Sequence, residues 1–108
     1  MKGVGMSMKM LTIVCREKLQ DELETILSNQ GITGYTLLTG AGGRGKTGVV
    51  SGTHGWTDRN LVLLVVQDDN LMTPLLQALK EWRDGLVQER SGHEVPLKLF
   101  LQSCDVVL

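Results

Sequence analysis

The chain has 108 residues and a formal net charge of −1, from 11 basic and 12 acidic side chains. This length predicts a single domain over residues 1–108, which can bury a core without disulfides or metal. The balanced charge excludes a general electrostatic attraction to nucleic acid. The longest apolar run, residues 61–66, is too short to cross a bilayer, and the N-terminus lacks a secretory apolar segment. We therefore expect a cytoplasmic protein without a nucleic-acid partner or direct membrane insertion.

The first half of the chain predicts a strand, a helix and a second strand. Residues 8–15 are apolar and carry Ile and Val, which favour a strand. Apolar side chains then recur at helical spacing within residues 16–30, and the charged side chains between them indicate a solvated face. Gly31 is typical of the residue that follows a helix. Residues 33–39 (TGYTLLT) predict the second strand, after which a loop runs from residue 40 to about residue 59.

The second half predicts a strand, a helix and a last strand. Residues 61–66 are apolar at every position, which predicts a third strand buried on both faces. Residues 68–70 supply capping groups, and Pro74 suits the first turn of a helix that ends somewhere within residues 85–90. Residues 97–104 predict the fourth strand. The order β-α-β-β-α-β predicts a ferredoxin-like α+β fold: a four-stranded antiparallel sheet with two helices on one face.

This topology places the first and third strands in the centre of the sheet, with the fourth strand antiparallel to the first. Cys15 and Cys104 then lie at opposite ends of neighbouring strands. They are on the order of 20 Å apart at ~3.3 Å per residue, which is too far for a disulfide within the chain. The first strand also carries Met10 and Val14 on one side, and Leu11 and Ile13 on the other. Because helices cover one face only, we expect a second subunit to cover the other face in a homo-oligomer.

A glycine-rich motif follows the second strand. Residues 40–47 (GAGGRGKT) match the P-loop pattern G-x-x-x-x-G-K-[ST], and the third strand followed by Asp68 and Asp69 resembles the acidic strand that accompanies it. However, a P-loop binds phosphate at the N-terminus of a helix. Residues 48–56 contain three glycines and poor helix formers, so they predict no such helix. We therefore interpret the motif as an anion-binding loop outside the P-loop class.

The composition of this loop favours contact with phosphate. Seven glycines between residues 40 and 55 allow successive backbone N–H groups to form an anion-binding nest. Arg44 can place two N–H groups on phosphate oxygens, and Lys46 adds positive charge. A loop of ~20 residues in a small domain is generally functional or disordered. We expect residues 42–46 to contact phosphate and residues 47–59 to change conformation with a ligand or partner.

The stretch ITGYTLL at residues 32–38, followed by GGRGK at residues 42–46, resembles the PII signal-transduction superfamily. Within it, the chain is most similar to the PII-like proteins of bicarbonate uptake and carboxysome gene neighbourhoods. The resemblance implies a homotrimer whose sheets face inward, with a nucleotide (ATP, ADP, AMP or cyclic AMP) bound in each cleft between subunits. It also implies that residues 40–59 are the family's T-loop, which changes shape with the ligand and docks on a target protein.

The resemblance further implies which residues bind the nucleotide. Thr36 matches a strand residue near the base, and the loop start matches the phosphate contacts. The implied nucleotide-binding residues are Thr36, Gly42, Gly43, Arg44, Gly45 and Lys46. In the family a second loop, after the second helix, adds phosphate contacts, whereas this chain offers only Gly85 and residues 91–93 there. The paired C-terminal arginines of PII proper, the modified T-loop tyrosine and the C-terminal cysteine pair of the bicarbonate-transporter type are absent from the sequence.

These features together predict a non-catalytic regulatory protein without a tightly bound cofactor. Its expected ligand is ADP, AMP or ATP, with bicarbonate as a candidate co-ligand. Its expected partner is a transporter or enzyme of inorganic-carbon or nitrogen metabolism.

Two alternatives remain open from the sequence. A small P-loop-like nucleotide hydrolase would need a base near the loop, and His54 and Asp58 are the candidates. A metal-responsive protein on the same fold would draw its ligands from His54, His93, Cys15 and Cys104, which are scattered rather than set at ligand spacing.

Overall fold

The computed structural model describes residues 8–45, 48–50, 59–92 and 95–108 of the chain. In chain order the elements are β1 (Met8–Arg16), a 3-10 helix (Glu17–Leu19), α1 (Gln20–Asn29), β2 (Thr36–Ala41), β3 (Gly43–Gly45), β4 (Gly48–Val50), β5 (Asn60–Asp68), α2 (Asp69–Glu89) and β6 (Lys98–Ser103). The predicted α+β, ferredoxin-like arrangement is confirmed, with a small additional hairpin formed by β3 and β4.

The main sheet has the strand order β2-β5-β1-β6, and all its neighbouring strands are antiparallel. The central position of β1 and β5 agrees with the prediction. The β1–β5 register runs from Met8 opposite Asp68 to Arg16 opposite Asn60. As a result, β1 and β2 end, and β5 and β6 begin, at the same side of the sheet. We call this side the loop edge.

The core lies between the sheet and the two helices. Alternate residues of β1 and β5 face the helices and are buried, as period-2 strands require. The buried apolar residues are Leu11, Ile13, Cys15, Leu19, Leu23, Leu27, Ile32, Leu61, Leu63, Val65, Met72, Leu75, Leu79, Val95 and Leu97. Both cysteines are free, Cys15 near the loop edge and Cys104 at the opposite side of the sheet.

The helices differ in detail from the prediction. Residues 17–19 form a 3-10 turn, so α1 begins later than expected. The carboxylate of Asp68 accepts a hydrogen bond from the backbone N–H of Leu71 at 3.2 Å, and this cap begins α2 directly after β5. Pro74 therefore lies inside the helix rather than in its first turn. The helix continues through Gly85 and ends at Glu89, within the predicted range of 85–90, because side chains on both sides of Gly85 pack against the core.

The other side of the sheet carries apolar side chains that the described helices do not cover. We call this the open sheet face. It includes Met10, Thr12 and Val14 of β1, Val62, Leu64 and Val66 of β5, Leu38 of β2 and Phe100 of β6. On this face Val62, Leu64 and Val66 are only half-buried in the single chain. The prediction that the third strand is buried on both faces is therefore correct for its helix side only. Leu38 and Phe100 are 54% and 56% exposed.

Within the described residues, neither helix is long and apolar enough to span a membrane.

Candidate functional site

The glycine-rich segment, residues 40–59, begins with strands rather than with an irregular loop. The edge strand β2 continues to Ala41, and β3 then pairs with β4, with Arg44 opposite Val49. Sequence reasoning predicted a continuous loop here, but Val49 and Val50 favour a strand. A strand therefore occupies residues 48–50, where a P-loop would begin its helix. This arrangement supports the interpretation of the motif as something other than a P-loop.

The register between β2 and β5 shifts between Leu38 and Ala41. The shift takes Thr39 and Gly40 out of the regular ladder, as a β-bulge does. Gly40 adopts a φ of +77°, a left-handed conformation that side-chain-bearing residues rarely take. The backbone N–H of Gly40 is thus available for a bond outside the sheet.

Two consecutive residues where β1 ends, Arg16 and Glu17, bond to residues at the ends of the glycine-rich segment. The backbone N–H of Glu17 donates to the carbonyl oxygen of Arg59 at 2.8 Å, where the segment ends. The carboxylate of Glu17 accepts a hydrogen bond from the N–H of Gly40, where it begins. Nη1 of Arg16 donates to Oδ1 of Asn60 at 3.4 Å. We call these five residues the loop-base cluster.

The structure places the predicted nucleotide-binding residues at different distances from this cluster. A Cβ added to Gly43 would lie 3.9 Å from Nδ2 of Asn60, so Gly43 adjoins the cluster directly. Gly42 and Arg44 are exposed beside it, whereas Thr36 pairs with Leu64 further along β5.

Thr36 therefore lies four β5 residues away from the Ala41–Asn60 pair, about 13 Å at ~3.3 Å per residue. It is exposed and shares the open sheet face with Leu64. The backbone of Gly45 ends β3, and Lys46 lies outside the described residues.

Sequence reasoning missed Arg16, Glu17 and Asn60 as neighbours of the loop. It assigned the first two to the solvated face of a helix that in fact begins later. The topology contained the signal, because antiparallel neighbours in the centre of the sheet bring the end of β1 beside the start of β5. The polar residues at the end of β1 and at the start of β5 could have been placed at the loop edge on that ground.

The turn after α2 uses its backbone to close the helix. The N–H of Ser91 donates to the carbonyl of Gln88 at 3.0 Å, and the N–H of Gly92 donates to that of Val87 at 2.9 Å. Ser91 and Gly92 have φ values of 57° and 85°, which are typical of a helix C-terminus. These two N–H groups are therefore engaged by the helix, so side chains become the better candidates for further anion contacts. His93 lies outside the described residues.

A groove of about 580 Å³ lies between the two helices at the loop edge. Its lining combines an apolar floor with charged walls and comprises Arg16, Lys18, Leu19, Glu22, Leu86, Glu89, Arg90, Val95 and Pro96. Oε1 of Glu22 accepts a hydrogen bond from Nε1 of Trp82 at 3.2 Å, which joins α1 to α2 on one side of the groove. Arg16 belongs both to this groove and to the loop-base cluster.

The approach to β2 is held against α1 by Tyr35. Its hydroxyl donates to the carboxylate of Glu24, which also accepts from Nε2 of Gln20 at 3.2 Å. Both bonds lower the pKa of Glu24, and the bond from Tyr35 has the larger effect. The bond to Glu24 in turn raises the pKa of Tyr35. The TGYT motif thus positions the strand that carries Thr36.

Most of the residues proposed for the hydrolase and metal-responsive alternatives cannot be located in the described structure. His54, Asp58 and His93 lie outside the described residues. Among the residues that the structure describes, His, Cys, Asp and Glu form no group of three that could hold a metal ion. Burial raises the pKa of Cys15 to about 12, so its thiol stays protonated and unreactive at neutral pH.

A family model described as "Nitrogen regulatory protein P-II" matches residues 8–92, well over half of the chain. The chain belongs to the P-II family. The resemblance inferred from ITGYTLL and GGRGK is thereby confirmed, and the chain is a member of a regulatory family. The match ends at Gly92, before the C-terminal segment in which the paired arginines of PII proper are missing.

Solved structures agree with membership of the P-II family. CPII from Thiomonas intermedia K12, a nitrogen regulatory PII-like protein bound to ADP, AMP and bicarbonate, is 19% identical with a TM-score of 0.74, over 93% of this chain and 88% of that one. The apo form of CPII is 17% identical with a TM-score of 0.66, over 93% of this chain and 91% of that one.

A PII-like signalling protein from Thermus thermophilus is 21% identical with a TM-score of 0.62, over 94% of this chain and 91% of that one. At these identities the structural matches establish the fold. No curated protein matches the sequence.

Proposed function

We propose that this P-II family member is a non-catalytic regulator that binds an adenine nucleotide (ADP, AMP or ATP) at clefts between subunits of a homotrimer. Bicarbonate is the proposed co-ligand. The nucleotide changes the conformation of the T-loop, residues 40–59, and this change controls a partner transporter or enzyme of inorganic-carbon or nitrogen metabolism. The protein acts in the cytoplasm.

The observation that carries this proposal is the placement of Gly43 and Arg44 beside the loop-base cluster. Gly43 leaves the backbone open to close approach, and Arg44 is exposed next to it. Arg16 and Arg59 belong to the same cluster beside the carboxylate of Glu17, so its positive side chains outnumber its negative one where the segment leaves the sheet. Guanidinium groups and free N–H groups are the donors that phosphate and bicarbonate oxygens accept best. Bound CPII supports the choice of ligands, since it carries ADP, AMP and bicarbonate.

The open sheet face supports assembly. Leu38 and Phe100 expose more than half of their surface in the single chain, and the half-buried residues of β1 and β5 lie between them. Apolar patches of this extent usually mark an interface. A homotrimer with inward-facing sheets would bury this face and leave Thr36, at its margin on β2, beside a neighbouring subunit.

The groove between the helices is the proposed source of the remaining phosphate contacts. The backbone of Ser91 and Gly92 is engaged in capping α2, so we assign this part of the site to the side chains of Lys18 and Arg90. Arg16 connects them to the loop-base cluster.

Isothermal titration calorimetry with ADP, AMP and ATP, each with and without bicarbonate, tests the proposal. We expect Arg44→Ala to weaken nucleotide binding, because it removes a charge-assisted contact. Arg83→Ala is the matched control, since Arg83 is exposed on α2 and pairs with Asp84 at 3.3 Å. The absence of heat with every nucleotide, or an unchanged affinity in Arg44→Ala, would contradict the proposal. Phosphate release from ATP above background would instead favour a hydrolase.

A further inference from the structure

We propose that Glu17 is a positioning residue that clamps the two ends of the glycine-rich segment together and thereby sets the affinity of the nucleotide site. This inference rests on the proposed function for its binding readout. Its structural part stands independently, on contacts made by Glu17 itself.

Glu17 is placed to act on both ends because it follows β1 directly. Its backbone N–H donates to the carbonyl oxygen of Arg59 at 2.8 Å, and its carboxylate accepts from the N–H of Gly40. One residue outside the segment therefore bonds to the residue that opens it and to the residue that closes it. Both bonds come from the 3-10 turn, whose Leu19 is buried in the core and holds the turn in place.

The bond to Gly40 exists because the sheet leaves that N–H available. The register shift between Leu38 and Ala41 removes Gly40 from the β2–β5 ladder, and its φ of +77° turns the backbone away from the strand direction. A Cβ on Gly40 would lie 3.9 Å from Nη1 of Arg59, so the two ends are close in space. Glu17 fixes this arrangement by bonding to both.

The consequence for binding follows from preorganisation. Gly43 and Arg44 lie three and four residues after Gly40, so their placement depends on how firmly the start of the segment is held. A site that must be ordered during binding pays for that ordering in affinity. A held base therefore raises affinity without touching the ligand.

The same contacts allow an opposite account. The carboxylate of Glu17 could act as an internal anion that occupies the N–H of Gly40 and competes with a ligand phosphate. We favour the clamp because Glu17 also bonds to Arg59 through its backbone, a contact that a competing anion would not need. The two accounts predict opposite changes in affinity when the side chain is removed.

Two variants and one control separate them. Glu17→Ala removes the acceptor, whereas Glu17→Gln keeps a carbonyl oxygen that can accept from Gly40 and removes the charge. Glu81→Ala is the control, because Glu81 is exposed on α2 and accepts from Nε2 of Gln77 at 3.0 Å, in a surface pair of the same kind. The readouts are hydrogen exchange of the Gly40 amide by NMR without ligand, and the dissociation constant for ADP by calorimetry.

We expect Glu17→Ala to lose protection at Gly40 and to weaken ADP binding by about two- to tenfold, the range of a single hydrogen bond. Glu17→Gln should keep most of the protection and bind within about twofold of wild type, and Glu81→Ala should match wild type. Unchanged Gly40 protection in Glu17→Ala, or ADP binding as tight as or tighter than wild type, overturns the clamp. If wild type binds no ADP, the proposed function fails, and Gly40 protection alone decides the clamp.

Discussion

Arg16 and Asn60 face each other across the two central strands, and Nη1 of Arg16 donates a hydrogen bond to Oδ1 of Asn60 at 3.4 Å. This pair stands at the point where the glycine-rich segment rejoins the sheet. Asn60 in turn adjoins Gly43, so a positive side chain, an amide and an open backbone position lie together at the loop edge.

Gly43→Ala should separate binding from folding. The added Cβ would meet Nδ2 of Asn60 at 3.9 Å, an ordinary contact, so the melting temperature should stay close to that of wild type. If phosphate approaches the backbone here, the methyl group should weaken ADP binding by about tenfold or more, since 1.4 kcal/mol is tenfold. Calorimetry and thermal unfolding measure the two effects.

Gly40→Ala is the counterpart of that variant. Its φ of +77° would strain an alanine, so the free energy of unfolding should fall by about 1 kcal/mol.

Unaffected ADP binding in Gly43→Ala would show that the backbone at Gly43 is not a close contact of the ligand.

Arg90→Ala should weaken ADP binding if the groove between the helices completes the phosphate site. Arg90 lines that groove at the end of α2, and loss of one charge-assisted contact should cost about 1.5–3 kcal/mol, or roughly ten- to a hundredfold in the dissociation constant. Calorimetry beside Arg83→Ala, on the same helix, provides the comparison. Equal affinities for these two variants would place the remaining contacts elsewhere.

Leu63 and Leu64 are sequence neighbours on opposite faces of β5, and their variants should fail in different ways. Leu63 is fully buried against the helices, so Leu63→Ala should lower the free energy of unfolding by about 2–5 kcal/mol. Leu64 lies on the open sheet face, so Leu64→Glu should place charges within the proposed interface and release folded monomers. Denaturant unfolding tests the first variant, and light scattering with circular dichroism tests the second. A Leu64→Glu protein of unchanged mass would argue against an interface on this face.

The two thiols should react differently. Burial raises the pKa of Cys15 from 9.0 to about 12, whereas Cys104 is partly exposed, so a thiol reagent at pH 8 should label one cysteine in the folded protein and two after denaturation.

The raised pKa of Cys15 makes the free energy of unfolding depend on pH. The folded state holds the Cys15 proton more tightly than the unfolded state, so its contribution to stability is complete below pH 9 and is lost as the pH rises towards 12. Cys15→Ser, compared with wild type across this range, isolates the contribution. Labelling of Cys15 as fast as Cys104 in the folded protein would contradict the assignment.

The sequence was sufficient to predict the order of the two helices and the four strands of the main sheet, because the apolar residues change from strand-like to helical spacing between these elements. It also predicted which strands are central, since right-handed crossovers leave few arrangements. The start of α1 was misplaced because the 3-10 turn at Glu17 carries the same charged composition as a helix. The hairpin of β3 and β4 was missed because glycines dominate it and only Val49 and Val50 signal a strand.

The candidate site was predicted less completely than the fold. The GGRGK motif and its resemblance to the P-II family pointed to the loop, and Gly43 and Arg44 do lie at the loop edge. The bond from Gly40 to the Glu17 carboxylate could not be assigned in the same way, because it depends on a one-residue register shift in β2 and on the left-handed backbone of Gly40. Such features arise from the pairing of distant strands, and local composition does not encode them.

The opposite side of the sheet carries a practical consequence. The N–H of Cys104 donates to the carbonyl oxygen of Met8 at 3.1 Å, so the first described residue of β1 and the residue after β6 leave the sheet side by side. The nine residues of β1, about 30 Å of strand at ~3.3 Å per residue, separate them from the loop edge. A biotin tag or fluorophore attached beyond either residue would therefore tether the protein with its glycine-rich segment facing solution. Surface-based assays could then test for the proposed partner without masking the glycine-rich segment.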